Sequence, residues 1–192
     1  MNTLDAIAER RSIRRFQETP LPEEALRRVL AAGMQAPSGK NRQPWRFVVV
    51  QGQQRAEMVR AMRAGIAREK AGGESPGSSE WSANVMEQAP VTIFVINPHG
   101  APPWLVHTIE QMFDDVVDIQ SAGAAIQNML LAALELGLGS LWICDVFYAY
   151  PELMEWLGEG GELIAAVALG YPAEQPQARY RKPMDEVVRW KE

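Results

Sequence analysis

Apolar residues recur along this chain in two patterns, one at helical spacing and one in unbroken runs. Leu4, Ala6, Ile7 and Ala8 form one stripe behind Thr3, which predicts a short helix over 3–11 capped by that threonine. Pro22 suits the start of a helix, and Glu23 and Glu24 suit its first turn. Leu26, Val29, Leu30 and Met34 then repeat at helical spacing, so a second helix runs to about Ala36, where Pro37 stops it. The runs at 45–50, 91–96 and 163–169 are too apolar to face water on either side and read as buried strands. Residues 53–71 read as a helix. A long helix following Ile119 carries Ala122, Ala125, Ile126, Met129, Leu130, Ala133 and Leu134 around most of its circumference, which predicts a central, largely buried element. Gly137 and Gly139 end it. Residues 141–144 continue as strand or extended loop, and Pro151 opens a short helix through Leu157.

Two segments stand apart from these periods. The Gly- and Ser-rich stretch 72–79 reads as flexible, a candidate mobile lid. The tail from Tyr171 carries three prolines and several large apolar groups, which need a surface to pack on, such as a second subunit. Strands alternate with helices, without a repeat or an internal boundary. The expectation is one domain over 1–192, of α/β-like or α+β class.

Composition narrows the function. The chain has 192 residues, 47% of them hydrophobic and 22% charged, which is ordinary for a globular protein large enough to fold without disulfides or metal. The net charge is −5 and the isoelectric point about 5.2, which argues against nucleic-acid and anionic-membrane partners. One cysteine excludes an internal disulfide framework, and two histidines leave little for a metal centre, so no metal is expected. No apolar run is long enough to span a bilayer, and the first residues carry no export signal, so a cytoplasmic setting is the expectation.

Common catalytic and nucleotide motifs are missing. The run from Gly137 to Trp142 begins like a dinucleotide fingerprint, but it lacks the third glycine and lies between a helix and a strand in the wrong order. The acidic residues Asp114, Asp115 and Asp118 read as a solvated helix face, and the single Cys144 as a packing residue rather than a nucleophile. The arginines are more telling. Arg10, Arg11, Arg14 and Arg15 surround Ser12 in an otherwise acidic chain, and the tail adds Arg179, Arg181 and Lys182. Guanidinium forks match a phosphate bidentately, although Arg10 and Arg11 also suit the C-terminus of a helix. The polar loop from Ser38 to Gln43 suits hydrogen bonding to a heterocycle, or a well-capped turn. Residues 137–144 bring out backbone amides that suit a flat ligand, or a helix end leading into a strand.

Taken in order, Arg10-Arg11-Ser12-Ile13-Arg14-Arg15-Phe16, Ala36-Pro37-Ser38-Gly39-Lys40-Asn41-Arg42-Gln43-Pro44-Trp45, Gly137-Leu138-Gly139-Ser140-Leu141-Trp142 and Arg181-Lys182-Pro183 resemble the nitroreductase family of FMN-dependent oxidoreductases. The resemblance runs from Leu4 to Trp190. It implies an α+β, three-layer sandwich and an intertwined homodimer with FMN at the subunit interface, the C-terminal segment of about 171–192 wrapping the partner. It implies that Arg10 and Ser12, with Arg11 beside them, hold the FMN phosphate and ribityl chain, and that Arg14 lies near the N1/C2 edge of the ring. Pro37, Ser38, Gly39, Asn41 and Gln43 then reach the flavin from the other subunit. Trp142, Ile143 and Cys144 pass along the ring, with the Cys144 backbone N–H at flavin N5, and Arg181, with Arg179, reaches the phosphate. The implied activity is a ping-pong oxidoreduction in which NADH or NADPH gives a hydride to flavin N5 and a nitroaromatic, quinone or similar small-molecule electrophile is reduced. No side chain acts as acid or base; the flavin carries the chemistry. A flavin-fragmenting or dehalogenating relative and a non-catalytic flavin-binding dimer are the alternatives.

Overall fold

The computed structural model describes residues 2–191. Helix α1 (Thr3–Glu9) is capped not by Thr3 but by Asn2, whose side-chain oxygen accepts from the Asp5 N–H, and it ends before Arg10. Helix α2 (Glu23–Met34) follows, then strand β1 (Arg46–Gln51) and helix α3 (Gln54–Ala71). Helix α4 (Ser79–Gln88) lies where no element was expected, and β2 (Val91–Asn97) comes next. Helix α5 (Ile109–Glu135) starts ten residues earlier than its apolar surface suggests. Thr108 and Gln111 form a reciprocal capping box there. Strand β3 (Gly139–Ile143), helix α6 (Tyr150–Leu157), strand β4 (Glu162–Gly170) and a one-turn helix α7 (Met184–Val187) complete the chain.

The four strands form one sheet in the order β1-β2-β4-β3, every neighbouring pair antiparallel. The helical connections bring strands distant in sequence side by side, so the fold is α+β rather than parallel α/β. Alternation along the strands divides the core into two layers. Phe94, Ile96, Ala166, Ala168, Leu141 and Ile143 face α3, α4 and α6, together with Met58, Met62, Met86 and Leu153. Val91, Ile93, Val95, Ala165, Val167 and Leu169 face α2 and α5, against Val29, Ala122, Ile126 and Met129. A bulge at Ile164 slips the β2–β4 register, so that Leu163 joins the first layer although its odd number predicts the second. The result is the expected three-layer sandwich. Among the described residues, no helix is long and apolar enough to cross a membrane.

The stretch expected to be a mobile lid is a tethered connection between α3 and α4. Pro76 is buried, and the Ser78 and Ser82 hydroxyls both donate to Asp145 Oδ2, at 2.7 and 2.5 Å.

Candidate functional site

The site is built where the two ends of the chain meet. Helix α5 stops in a left-handed turn: Gly137 has φ 71°, and the Gly137 and Leu138 N–H groups donate to the carbonyls of Leu134 and Ala133. Gly139 then lets the N-terminal arm approach β3, since a Cβ there would sit 2.9 Å from Ile13. The Ile13 N–H donates to the Ser140 carbonyl at 2.9 Å, and Ser12 pairs with Ser140 like a short extra strand. The glycine pair of the sequence therefore serves a helix stop and a close crossing of backbone.

The arm is clamped from the other side by the tail. Gln17 N–H donates to the Tyr171 carbonyl, and Ala173 N–H to the Arg15 carbonyl, both at 2.9 Å. The Arg14 backbone N–H donates to Glu174 Oε1. This pairing turns the tail back over α1 and sets Arg179 and Arg181 opposite Arg10. A cavity of about 490 Å³ lies between them, lined by Arg10, Arg11, Ser12, Arg14, Arg179 and Arg181 and floored by Ile7 and Ala8. No acidic side chain lines it among the described residues. Burial, and then the charges of Arg181 and Arg11, pull the Arg10 guanidinium below its ordinary value. Like charges gathered here without a carboxylate give the cavity a positive field in an acidic protein.

The arginines divide their work. Arg11 donates to the Ala8 and Arg10 carbonyls at 2.7 and 2.9 Å, so it closes the end of α1 as well as facing the cavity. Arg14 Nη1 donates to the Ser12 carbonyl at 2.9 Å, and its guanidinium lies 5.0 Å from the ring centre of Trp81. Arg15 points to solvent.

Residues 37–43 do not line this cavity. They form an exposed loop bound to α5. The Gly39 N–H donates to Ser121 Oγ at 3.3 Å, Ser38 Oγ accepts from the Gln43 N–H at 3.0 Å, and a Cβ on Gly39 would sit 2.3 Å from Val117 Cγ1. Lys40, Asn41 and Gln43 all have positive φ, between 50° and 55°. Three such residues in four positions store strain, which concentrates at functional loops. Asn41 and Gln43 are exposed, so they are free to meet something outside this chain. Trp142, Ile143 and Cys144 form a third group at the end of β3. Ile143 is buried in the core, and the Trp142 ring lies beside Gly123 of α5. Cys144 is not the buried packing residue expected but an exposed one, and desolvation of its thiol and the neighbouring Asp145 hold its pKa up, which makes it a poor nucleophile. Within one chain, then, the two arginine clusters come together and the other two groups stand apart.

The acidic trio corrects a further expectation. Asp118 is only 1% exposed, and Arg42 pairs with Asp114 at 2.9 Å and with Asp118 at 3.1 Å. Asp115 pairs with His107 Nδ1 at 2.6 Å. Asp118 is thus shut from water, while Asp114 and Asp115 stay partly exposed, and all three carboxylates anchor the 37–43 loop and the start of α5. Nearby, Glu162 is 6% exposed, and its Oε2 has no hydrogen-bond partner. Burial, reinforced by Asp115 and Asp118, pushes its pKa up to about 7. Sequence reasoning also missed Trp81 and Glu174, which meet Arg14 only because of the unexpected helix α4 and the arm–tail pairing.

The model of the nitroreductase family matches residues 7–171. The chain belongs to the nitroreductase family. YdjA of Escherichia coli K12, assigned as an NAD(P)H nitroreductase, is 30% identical over 178 residues, covering 90% of this chain and 89% of that protein. The NADH dehydrogenase of Thermus thermophilus is 30% identical over 196 residues, covering 97% and 94%. A protein of Desulfovibrio desulfuricans, assigned as a nitroreductase and solved in complex with FMN, is 32% identical and superposes with a TM-score of 0.78, covering 100% of this chain and 98% of that one. The expected family and its three-layer fold are thus borne out.

Proposed function

We propose that this chain is an FMN-dependent NAD(P)H oxidoreductase, working as a homodimer and reducing a nitroaromatic, quinone or similar electrophile in two half-reactions at one site. The observation that carries the reading is the cavity in which Arg10, Arg179 and Arg181 converge without a carboxylate. Its donor set suits a phosphate dianion, with Ser12 as a further hydroxyl. The FMN bound by the Desulfovibrio relative and the nicotinamide dependence named for the Escherichia and Thermus relatives support the same cofactors here. Those names favour a reductase over a storage or dehalogenating protein.

Bound FMN supplies the redox chemistry. The chain supplies its place. Arg10 and Arg181 hold the phosphate, with Arg11, Ser12 and Arg179 around them. Arg14 sets a positive charge at the N1/C2 edge of the ring, and Trp142, Ile143 and Cys144 border it, with the Cys144 N–H at N5. Pro37, Ser38, Gly39, Asn41 and Gln43 close the site from the other subunit. The exposed stripe Ile109, Met112, Phe113 and Val116 along α5 supports such a dimer, as do the exposed Tyr180, Met184, Val187 and Trp190 of the tail. Trp190 at 80% and Ile109 at 88% exposure are costly to leave in water, and a partner surface removes that cost. One domain over 1–192, its tail lying on the partner, accounts for both surfaces.

Anaerobic titration tests the reading. The purified protein is expected to carry yellow FMN that bleaches rapidly on adding NADH or NADPH and recovers its colour with a quinone or nitroaromatic. Bound flavin that neither nicotinamide bleaches would overturn it.

A further inference from the structure

We infer that Trp81 is a positioning residue that holds the Arg14 guanidinium toward the flavin edge without neutralising it; this rests on the flavin reading above. Arginine has a long, freely rotating side chain, so a useful charge must be fixed in direction. Two side-chain contacts, on a backbone held in place, fix this one. The Arg14 backbone N–H is held by Glu174, its Nη1 donates to the Ser12 carbonyl at 2.9 Å, and its guanidinium lies 5.0 Å from the Trp81 ring centre. None of these is a carboxylate on the guanidinium, and Arg14 makes no ion pair among the described residues. An acidic partner would orient the group equally well but would cancel the charge. An aromatic face attracts the cation through its quadrupole and leaves its net charge intact.

Trp81 is itself placed by a rigid element. It lies on α4, whose inner face is buried through Ala83, Val85 and Met86. Ser78 and Ser82 tie the start of that helix to Asp145, the residue that follows the 142–144 segment. The Trp81 ring is 44% exposed. Helix α4 therefore links the segment that borders the ring to the arginine at its edge, through one aromatic contact.

The consequence is differential. A cation at that edge favours the reduced, more negative form of FMN over the oxidised form, so loosening it weakens binding of the reduced form most. The dissociation constants of oxidised and of chemically reduced FMN are measured anaerobically for full-length parent, Trp81→Leu, Trp81→Phe, Arg14→Ala and the Trp81→Leu/Arg14→Ala double variant. Trp81→Leu keeps bulk and loses the π face. It is expected to weaken reduced FMN about two- to fivefold more than oxidised FMN, the scale of an exposed cation–π contact. Trp81→Phe should keep the parental ratio and show that the fold tolerates replacement. In the Arg14→Ala background, Trp81→Leu should leave the ratio unchanged. A parental ratio in Trp81→Leu, or the same change with and without Arg14, overturns the inference and assigns the ring a direct contact or none. A parent that binds neither form of FMN overturns the flavin reading itself, and the inference with it, before any variant is compared.

Discussion

Replacing Glu162 by glutamine removes a charge that the fold buries without a matching cation. Glu162 opens β4, is 6% exposed and leaves Oε2 without a hydrogen bond. The Cβ position of Gly100 lies 2.7 Å from both Glu162 Oε2 and Asn97 Nδ2, so the carboxyl is enclosed by the turn after β2. Asp115 and Asp118 add like charge, while Asn97 and His107 only partly offset it. The carboxyl therefore titrates near 7 in the folded protein, against an ordinary 4.5. Folded protein keeps a proton that the unfolded chain releases, so stability falls as pH rises from about 4.5 to about 7. At about 1.4 kcal/mol per pH unit, the full loss from this group is about 3 kcal/mol at pH 8. Two neighbours act in the same direction. His107, raised by the Pro102 carbonyl and Asp115, stabilises below its ordinary range and loses that contribution as pH climbs. Asp118, raised chiefly by burial, loses stability just above the carboxylate range. Glu152 opposes them only at lower pH: burial raises it, but Arg68 holds it below its usual value, so its contribution fades in acid. Urea and thermal unfolding of parent and Glu162→Gln at pH 5 and pH 8, at one protein concentration, measure the difference. The parent is expected to be less stable at pH 8 than at pH 5. Glutamine should recover up to about 3 kcal/mol at pH 8, a rise of roughly 6–12 °C in Tm for a chain of this size, with little change at pH 5. A variant that keeps the parental pH slope would show that Glu162 is not the protonated group.

Three further outcomes follow from particular contacts. Gly65→Ala would drive a Cβ to 2.3 Å from Ala149 Cα, where backbone cannot yield, and should lower stability by about 1–3 kcal/mol in urea unfolding; parental stability would contradict the packing of α3 on the 145–149 turn. Arg10→Ala and Arg181→Ala each remove a charge-assisted donor and should weaken FMN binding about 10- to 100-fold, read by fluorescence titration, whereas parental retention in both variants would sink the phosphate assignment. Phe113→Glu places a charge in the middle of the exposed α5 stripe, and sedimentation should show a monomer with poor FMN retention; a dimer of parental stability would move the interface elsewhere.

The strands were legible because a sheet covered on both faces needs unbroken apolar runs, as at 91–96 and 163–169, which became β2 and β4 within a residue or two at each end. Helix α4 was not legible. It follows a Gly/Ser-rich stretch and buries Ser79 and Ser82, so no apolar period marks it. The start of α5 was hidden for another reason: Ile109, Met112, Phe113 and Val116 keep helical spacing but alternate with Glu110, Asp114 and Asp115, and they face outward rather than into the core. Its capping box, Thr108 with Gln111, was the signal available. The acidic trio looked solvated because a sequence lists charges without their partners; Arg42 lies more than seventy positions before the aspartates it pairs with.

By itself the sequence determined the buried strands, most of the helices, the acidic balance and the two basic clusters, since these rest on local period and on composition. It carried the family as well, through motifs that keep their order along the chain. Only the tertiary structure decided that Arg10 and Arg181 share one cavity, that Trp81 lies against Arg14, and that Glu162 and Asp118 are shut from water. Each of those facts depends on which strands neighbour one another and on the backbone bonds pairing the arm with the tail. Such long-range pairings are chosen by the packing of whole layers, and no local window of residues contains them.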